Sequence, residues 1–269
     1  MNYRLLNEVL IEWNESSKED SDNVFLKSED IKNSFKYFVY RLDEENQIKI
    51  FDTDWPEFEK YRGKVWINNG INNKHVELDD EGQTEYIFEP GEYRVYIKDI
   101  NKVTDMTHMF WKCYDLISAV IPYSVTTIGE GAFWGCVGMT SISIPNSVTK
   151  IGRSAFTVCR SLTGALTIPN SVTTIGEYAF CECLGLTSVT IGNSVTTIDS
   201  DAFSGCKGLT SVTIPNSVTA IGDNAFSGCR NLKIVYVEDI NKFKQIQFEG
   251  GSETWGPLYY GPKLIELKK

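Results

Sequence analysis

Gly208–Cys229 reads GLTSVTIPNSVTAIGDNAFSGC, and variants of this phrase fill the back two-thirds of the 269-residue chain. Its phenylalanine falls at Phe110, Phe133, Phe156, Phe180, Phe203 and Phe226. Its cysteine falls at Cys113, Cys136, Cys159, Cys183, Cys206 and Cys229. Both series step by 23, 23, 24, 23 and 23 residues. Self-similarity at this period marks a solenoid, whose units are too small to fold alone and bury their apolar faces on one another. An extended surface of this kind serves binding more often than chemistry.

Within the unit, Leu209, Val212 and Ile214 stand at the first, fourth and sixth places of LTSVTI, the strand pattern of a leucine-rich repeat. Alternation sends Val212 and Ile214 inward and Ser211 and Thr213 outward. Pro215 lacks a backbone donor and ends the strand. Asn216-Ser217 is turn chemistry, Val218 and Ile221 point inward again, and Gly222 marks a second corner. The sister units place Gly129, Gly152 and Gly176 there, and one places Asp199. Asn224–Cys229 is predicted to make a short helical turn that drops Phe226 into the core. One unit, Leu162–Ile168, holds one residue more than its sisters. A plain insertion would flip every later side chain, so a bulge at Gly164 is predicted.

The phrase resembles the BspA-like, or Treponema-type, leucine-rich repeat family, whose motif runs I-P-x-S-V-T-x-I-G-x-x-A-F-x-x-C-x-x-L. The match covers about 115 to 234. The first unit, Val103–Cys113, resembles the sister form V-T-D-M…M-F-x-x-C. The resemblance implies a bacterial surface or secreted binding protein; similar repeats occur in protists and phage-encoded proteins.

Charge is uneven. Residues 1–97 carry 22 acidic and 12 basic side chains, and 98–269 carry 14 of each. Three parts are expected: an acidic β-rich domain with a short leading helix over 1–98, the solenoid over 99–234 and a cap over 235–269. The fold class is mainly β with short helical turns. An acidic front and a neutral back disfavour nucleic acid as a partner. No 18-residue apolar run is present, so no membrane span is expected. Met1–Glu8 lacks the basic and apolar runs of a signal peptide. Inside the cell, on its surface by another route, in a virion, or trimmed of a leader are all compatible with it.

In the front third, Leu6, Val9, Leu10 and Trp13 have helical spacing. Its expected use is packing within its own domain, with oligomerisation through the front domain as the sharper reading. Ser16–Asn23 reads as a loop. Phe35–Leu42 and Gln47–Phe51 flank Asp43–Asn46 as a predicted hairpin, with further strands at Val65–Ile67, Tyr86–Phe88 and Tyr93–Ile97. The ending YIFEPGEYRVYI resembles the close of a PKD-like or immunoglobulin-like β-sandwich. Such a domain would cover the open edge of the first repeat. In the tail, a cap is favoured over a pocket lined by Trp255, Tyr259 and Tyr260.

No catalytic constellation is visible. His75 and His108 sit in no H-x-x-x-H, and there is no G-x-S-x-G or P-loop. Equivalent cysteines on stacked turns point the same way, which favours a column of buried free thiols over disulfides. Cys181, in C-x-C with Cys183, is a weak metal signal. The acidic groups Asp43–Glu45, Asp52/Asp54 and Asp79–Glu81 lack calcium-loop spacing and read as solvated turns. No cofactor and no metal are expected.

The candidate binding surface is the outward strand row Thr187, Ser188, Thr190, Thr210, Ser211 and Thr213, together with Tyr123, Trp134, Lys233 and Tyr236 where the phrase changes. A second hydroxyl row runs Thr126/Thr127, Thr149, Thr173/Thr174, Thr196/Thr197 and Thr219. Such ladders are good strand surface without any function. The expected function is non-catalytic binding or adhesion toward a protein or carbohydrate ligand, the alternative being a virion component whose front domain docks while the solenoid is displayed.

Overall fold

The structure is a computed structural model and describes residues 37–44, 47–61, 63–68, 73–76, 78–84, 87–97, 99–248 and 264–267. The helix at Leu6–Trp13, the loop at Ser16–Asn23 and the pocket of Trp255, Tyr259 and Tyr260 lie outside the described residues.

The front residues give strands β1 (Tyr37–Leu42), β2 (Val65–Asn68), β3 (Asn73–Val76) and β4 (Gly91–Ile97), with helix α1 (Phe58–Tyr61). The repeats give alternating longer and shorter strands: β5 (Leu116–Val120), β6 (Thr127–Ile128), β7 (Ser141–Ser143), β8 (Lys150–Ile151), β9 (Thr163–Thr167) and β10 (Thr174–Ile175). They continue as β11 (Gly185–Thr190), β12 (Thr197–Ile198), β13 (Ser211–Ile214), β14 (Ala220–Ile221) and β15 (Ile234–Val237). Helix α2 (Ile240–Phe243), β16 (Gln247–Phe248) and β17 (Leu264–Leu267) follow. The fold is mainly β, a solenoid with few and short helices.

Each turn of the solenoid has three sides. The longer strands stack in parallel on the first side and the two-residue strands on the second, in the order β16-β14-β12-β10-β8-β6. Alternation works as read: in β13 the outward Ser211 and Thr213 are half-exposed, and Val212 and Ile214 are buried. Pro215 sits at the corner after Ile214, where no ladder donor is needed.

The third side carries the phenylalanines and is a turn, not the helix expected from its alanine. Residues two before and two after each phenylalanine are left-handed, as at Tyr178 (φ 56°) and Glu182 (φ 57°) around Phe180. Alternating handedness aims successive N–H groups of Tyr178, Phe180 and Glu182 at the next turn. They donate to the carbonyls of Ser200, Ala202 and Ser204 at 3.0, 2.7 and 2.8 Å. Bonds between turns thus replace the intrahelical ones, because a helix would have left the neighbouring turns unpaired. The six phenylalanine rings stack with centroids 5.0–5.3 Å apart. All six are buried, at about 1.5–3 kcal/mol each.

The predicted hairpin of 35–42 with 47–51 does not form. β1 pairs antiparallel with β4 on one edge and with β5 on the other. The sheet β3-β2-β4-β1-β5-β7 therefore runs from the front residues straight into the repeats. Residues after β1 instead lie over the first turn. The Asp52 N–H donates to the Met109 carbonyl at 2.9 Å, and Phe38 and Phe51 pack at 4.7 and 5.9 Å from Phe110. Those two rings cover the end of the phenylalanine stack that would otherwise meet water. Ile87 and Phe88 belong to no named strand, whereas β3 had no clear sequence signal. At the other end β16 and β17 continue the two sheets beyond the last full unit.

Candidate functional site

The outward hydroxyl positions come together as read. Thr190 pairs with Thr213 and Thr213 with Tyr236; Ser188 pairs with Ser211 and Ser211 with Ile234. Thr187, Thr210 and Lys233 form a third row, the Thr210 N–H donating to Thr187 O at 2.8 Å and the Lys233 N–H to Thr210 O at 2.9 Å. Tyr123 stands at the corner after β5, 75% exposed. Trp134 is apart from all of these, on the phenylalanine side. Its ring stacks on Trp111 at 4.6 Å, with the Lys112 ammonium 5.6 Å from its centre and His108 edge-on to Trp111 at 5.2 Å.

Both sheets tie some hydroxyls into the scaffold and leave others out: on the main sheet Thr140 and Thr210 donate to the carbonyls of Ile117 and Thr187 one turn back, at 3.3 and 2.9 Å. On the second side, Thr149, Thr173, Thr196 and Thr219 each donate to the carbonyl of the threonine one turn back, at 3.2–3.4 Å. Those hydroxyls are consumed by the scaffold. Ser143, Thr167 and Thr190 on the main sheet make no side-chain hydrogen bond to protein among the described residues.

Where the phrase breaks, the main sheet opens. The pairing of β9 with β11 changes register between Leu186 and Ser188, opposite Gly164 and Ala165. Gly164 has a φ of 81°, the left-handed region where glycine is favoured, but the residue the ladder skips is Thr187 on β11, opposite the bulge expected at Gly164. Thr163 still donates to Thr140 O at 3.1 Å, but β9 then follows β11 and forms no ladder with β7. One sheet ends at β7 and another begins at β9. A groove of about 530 Å³ lies at this seam and reaches the following corner. Ile142, half-buried where its sisters Leu166, Val189 and Val212 are buried, lines it. So do the free hydroxyls of Ser143, Thr167 and Thr190, the amides of Asn146, Asn170 and Asn193, and Ala165 where the neighbouring turns hold serine. Gly192 replaces the proline of its sisters at the edge and lies against the Pro169 backbone. No ionisable side chain lines the groove.

Sequence reasoning identified Thr190 but missed the asparagines. The available signal was the coincidence, within one turn and its neighbour, of the extra residue at Gly164 and the exchange of proline for Gly192.

The cysteines are scaffold. All seven are free thiols and six are buried. Cys136, Cys159, Cys183, Cys206 and Cys229 each donate to the phenylalanine carbonyl of the previous turn at 3.1–3.2 Å. Burial pushes the thiols of Cys113, Cys136, Cys159 and Cys183 well up. Half-exposed Cys181 is pushed up to about 11, again chiefly by burial. None of these five is an activated nucleophile. Among the described residues no group of three His, Cys, Asp or Glu is placed to hold a metal. Asp79 accepts the N–H groups of Glu81 and Gln83, both at 2.9 Å, and Asp52 accepts that of Asp54 at 3.1 Å while pairing with Lys49. These carboxylates hold turns. No helix among the described residues is long and apolar enough to cross a membrane.

No curated protein matches the chain. Among solved structures it is similar to the leucine-rich repeat protein TpLRR of T. pallidum, with 30% identity over 50% of this chain and 69% of that one, TM-score 0.43. It is also similar to a leucine-rich repeat protein from Bacteroides ovatus, 23% identical over 62% of this chain and 59% of the other, TM-score 0.44. A third, a leucine-rich cell surface protein from Faecalibacterium prausnitzii, is 27% identical over 55% of this chain and 61% of the other, TM-score 0.24. The family described as BspA type leucine rich repeat region, in six copies, matches residues 106–233 and 164–253, together more than half of the sequence. With the repeat register, the phenylalanine stack and the cysteine column all in place, the chain belongs to the BspA-type leucine-rich repeat family.

Proposed function

We propose that this protein is a non-catalytic recognition and adhesion protein whose main sheet is its binding face. One observation carries the reading: the hydroxyls of Ser143, Thr167 and Thr190, in three successive turns of the main sheet, make no hydrogen bond to the scaffold among the described residues and line one groove. A groove whose hydroxyls have no structural use offers them to a ligand. The cysteines are buried or have raised pKa values, and His108 packs edge-on to Trp111, which supports a role other than catalysis. The ligand is a protein or a glycan from outside the chain.

The test compares the full chain with a Thr187→Glu/Thr210→Glu variant on an array carrying glycans and folded proteins. Saturable binding by the full chain, lost in the variant at unchanged melting temperature, is expected. Absence of saturable binding to either class, or binding indifferent to the variant, overturns the reading.

A further inference from the structure

We propose that the seam groove between β7 and β9 binds a neutral pyranose oligosaccharide. This rests on the recognition reading above and narrows it to one ligand class and one site. Three observations converge on it.

The first is charge. Serine, threonine, asparagine, isoleucine, alanine, proline and glycine side chains line the groove, and none ionises. A phosphorylated, sulfated or uronic ligand would find no counter-charge, and an ionic peptide no partner for its side chains. The groove also lacks the tryptophan and arginine anchors on which protein hot spots depend.

The second is the kind of polar group. A sugar hydroxyl both donates and accepts, and so do the groups presented here. The hydroxyls of Ser143, Thr167 and Thr190 lie in successive turns with no protein partner among the described residues. Asn146 and Asn193 present carbonyl and NH₂ together, and Asn170 keeps its NH₂ while its Oδ1 accepts the Asn193 N–H at 2.8 Å. β7 and β9 add backbone N–H and C=O groups on the two facing edges that no ladder joins. Thr167 and Thr190 pair within one ladder, where strands lie about 4.8 Å apart, and Ser143 stands across the seam from them.

The third is an apolar contact at one end. The hydroxyl row begins at Val120, which pairs with Ser143, and the asparagine row begins at Tyr123, which holds the place of Asn146 one turn earlier. Val120 is 40% and Tyr123 75% exposed. Sugars have apolar C–H faces as well as hydroxyls. Ile142 in the groove lining meets that need, with Val120 and Tyr123 one turn before it outside the lining, and the volume of about 530 Å³ lies within the usual range for a ligand site.

The experiment titrates the ¹⁵N-labelled full chain with maltohexaose, cellohexaose and chitohexaose, and with polygalacturonate and a mixed-sequence decapeptide as the charged and polypeptide arms. The side-chain amide signals of Asn146, Asn170 and Asn193 are followed. At least one neutral hexasaccharide is expected to shift those signals saturably. Thr167→Val/Thr190→Val keeps the shape and strand preference of both sites but removes both hydroxyls, and is expected to weaken binding at least ~10-fold. Thr197→Val, in β12 of the second sheet and away from the groove, leaves it unchanged. No saturable shift from any neutral sugar, equal loss in Thr197→Val, or tighter binding of polygalacturonate or the peptide overturns the proposal. In the last case the chain remains a recognition protein and only its ligand class is wrong.

Discussion

The thiol of Cys159 lies 3.1 Å from the carbonyl oxygen of Phe133, one turn earlier, and that oxygen also accepts the N–H of Cys136 at 3.2 Å. Each buried cysteine from Cys136 onward therefore joins two turns and fills a narrow corner, while Cys113 donates to the Ile50 carbonyl at 3.6 Å. Native-state labelling with a chromogenic disulfide reagent is expected to leave the six column thiols unreacted until the protein unfolds. Cys181 is the exception in exposure, but with its pKa near 11 only a small fraction is thiolate at neutral pH. Rapid labelling of most thiols in folded protein would contradict the column.

The same burial makes the fold sensitive to alkali. Cys113, Cys136, Cys159 and Cys183 hold their protons to higher pH when folded than the unfolded value of about 8.5. Their contribution is complete below that value and is lost as pH rises above it, because the unfolded chain ionises first. Each such thiol adds a slope of about 1.4 kcal/mol per pH unit. Urea midpoints measured between pH 7 and pH 10 should fall steeply on the alkaline side, and less steeply in Cys159→Ala than in the parent. A flat profile would mean that the thiols are not desolvated.

Phe180 stacks on Phe156 at 5.0 Å and on Phe203 at 5.2 Å, both with near-parallel rings. Phe180→Ala opens a cavity in the middle of the stack and should cost about 3–5 kcal/mol in chemical denaturation. Thr190→Ala, on the exposed face of β11, should stay within ~0.5 kcal/mol. A Phe180→Ala protein that melts with the parent would refute the register of the repeat.

What the sequence made legible was whatever one unit decides alone. Val212 and Ile214 point inward because strand alternation is local, and Phe180 and Cys183 are buried because their period places them so. Features decided between units were hidden. The phenylalanine turn contains a helix-prone alanine, yet its N–H groups pair with the next turn, which no single-unit propensity can register. β1 has strand character, but its partners β4 and β5 lie more than 50 residues along the chain. The nearby Gln47–Phe51 had the right pattern for a hairpin and the wrong position. The seam groove needs Ile142, Ala165 and Gly192 from three successive turns. The extra residue at Gly164 was readable, while the skipped residue on the facing strand, Thr187, and the sheet that opens at β7 were not.

Gly131 is where the aromatic pair on the phenylalanine side meets the backbone. It holds a φ of 56°, and a Cβ added there would overlap the Trp111 ring and press on His108. Trp111 thus packs against a glycine at a place where the later turns hold Ser154, Tyr178, Asp201 and Asn224, all left-handed. Gly131→Ala is expected to lose about 1–2 kcal/mol to the left-handed backbone alone, with a further loss from displacing Trp111. The two terms separate in a double-mutant cycle with Trp111→Ala. If the overlap matters, Gly131→Ala costs more in the parent than in the Trp111→Ala background, and only the parent shows a change in tryptophan emission on substitution. Equal costs in the two backgrounds would leave the backbone as the whole effect and would show that Trp111 does not rest on residue 131.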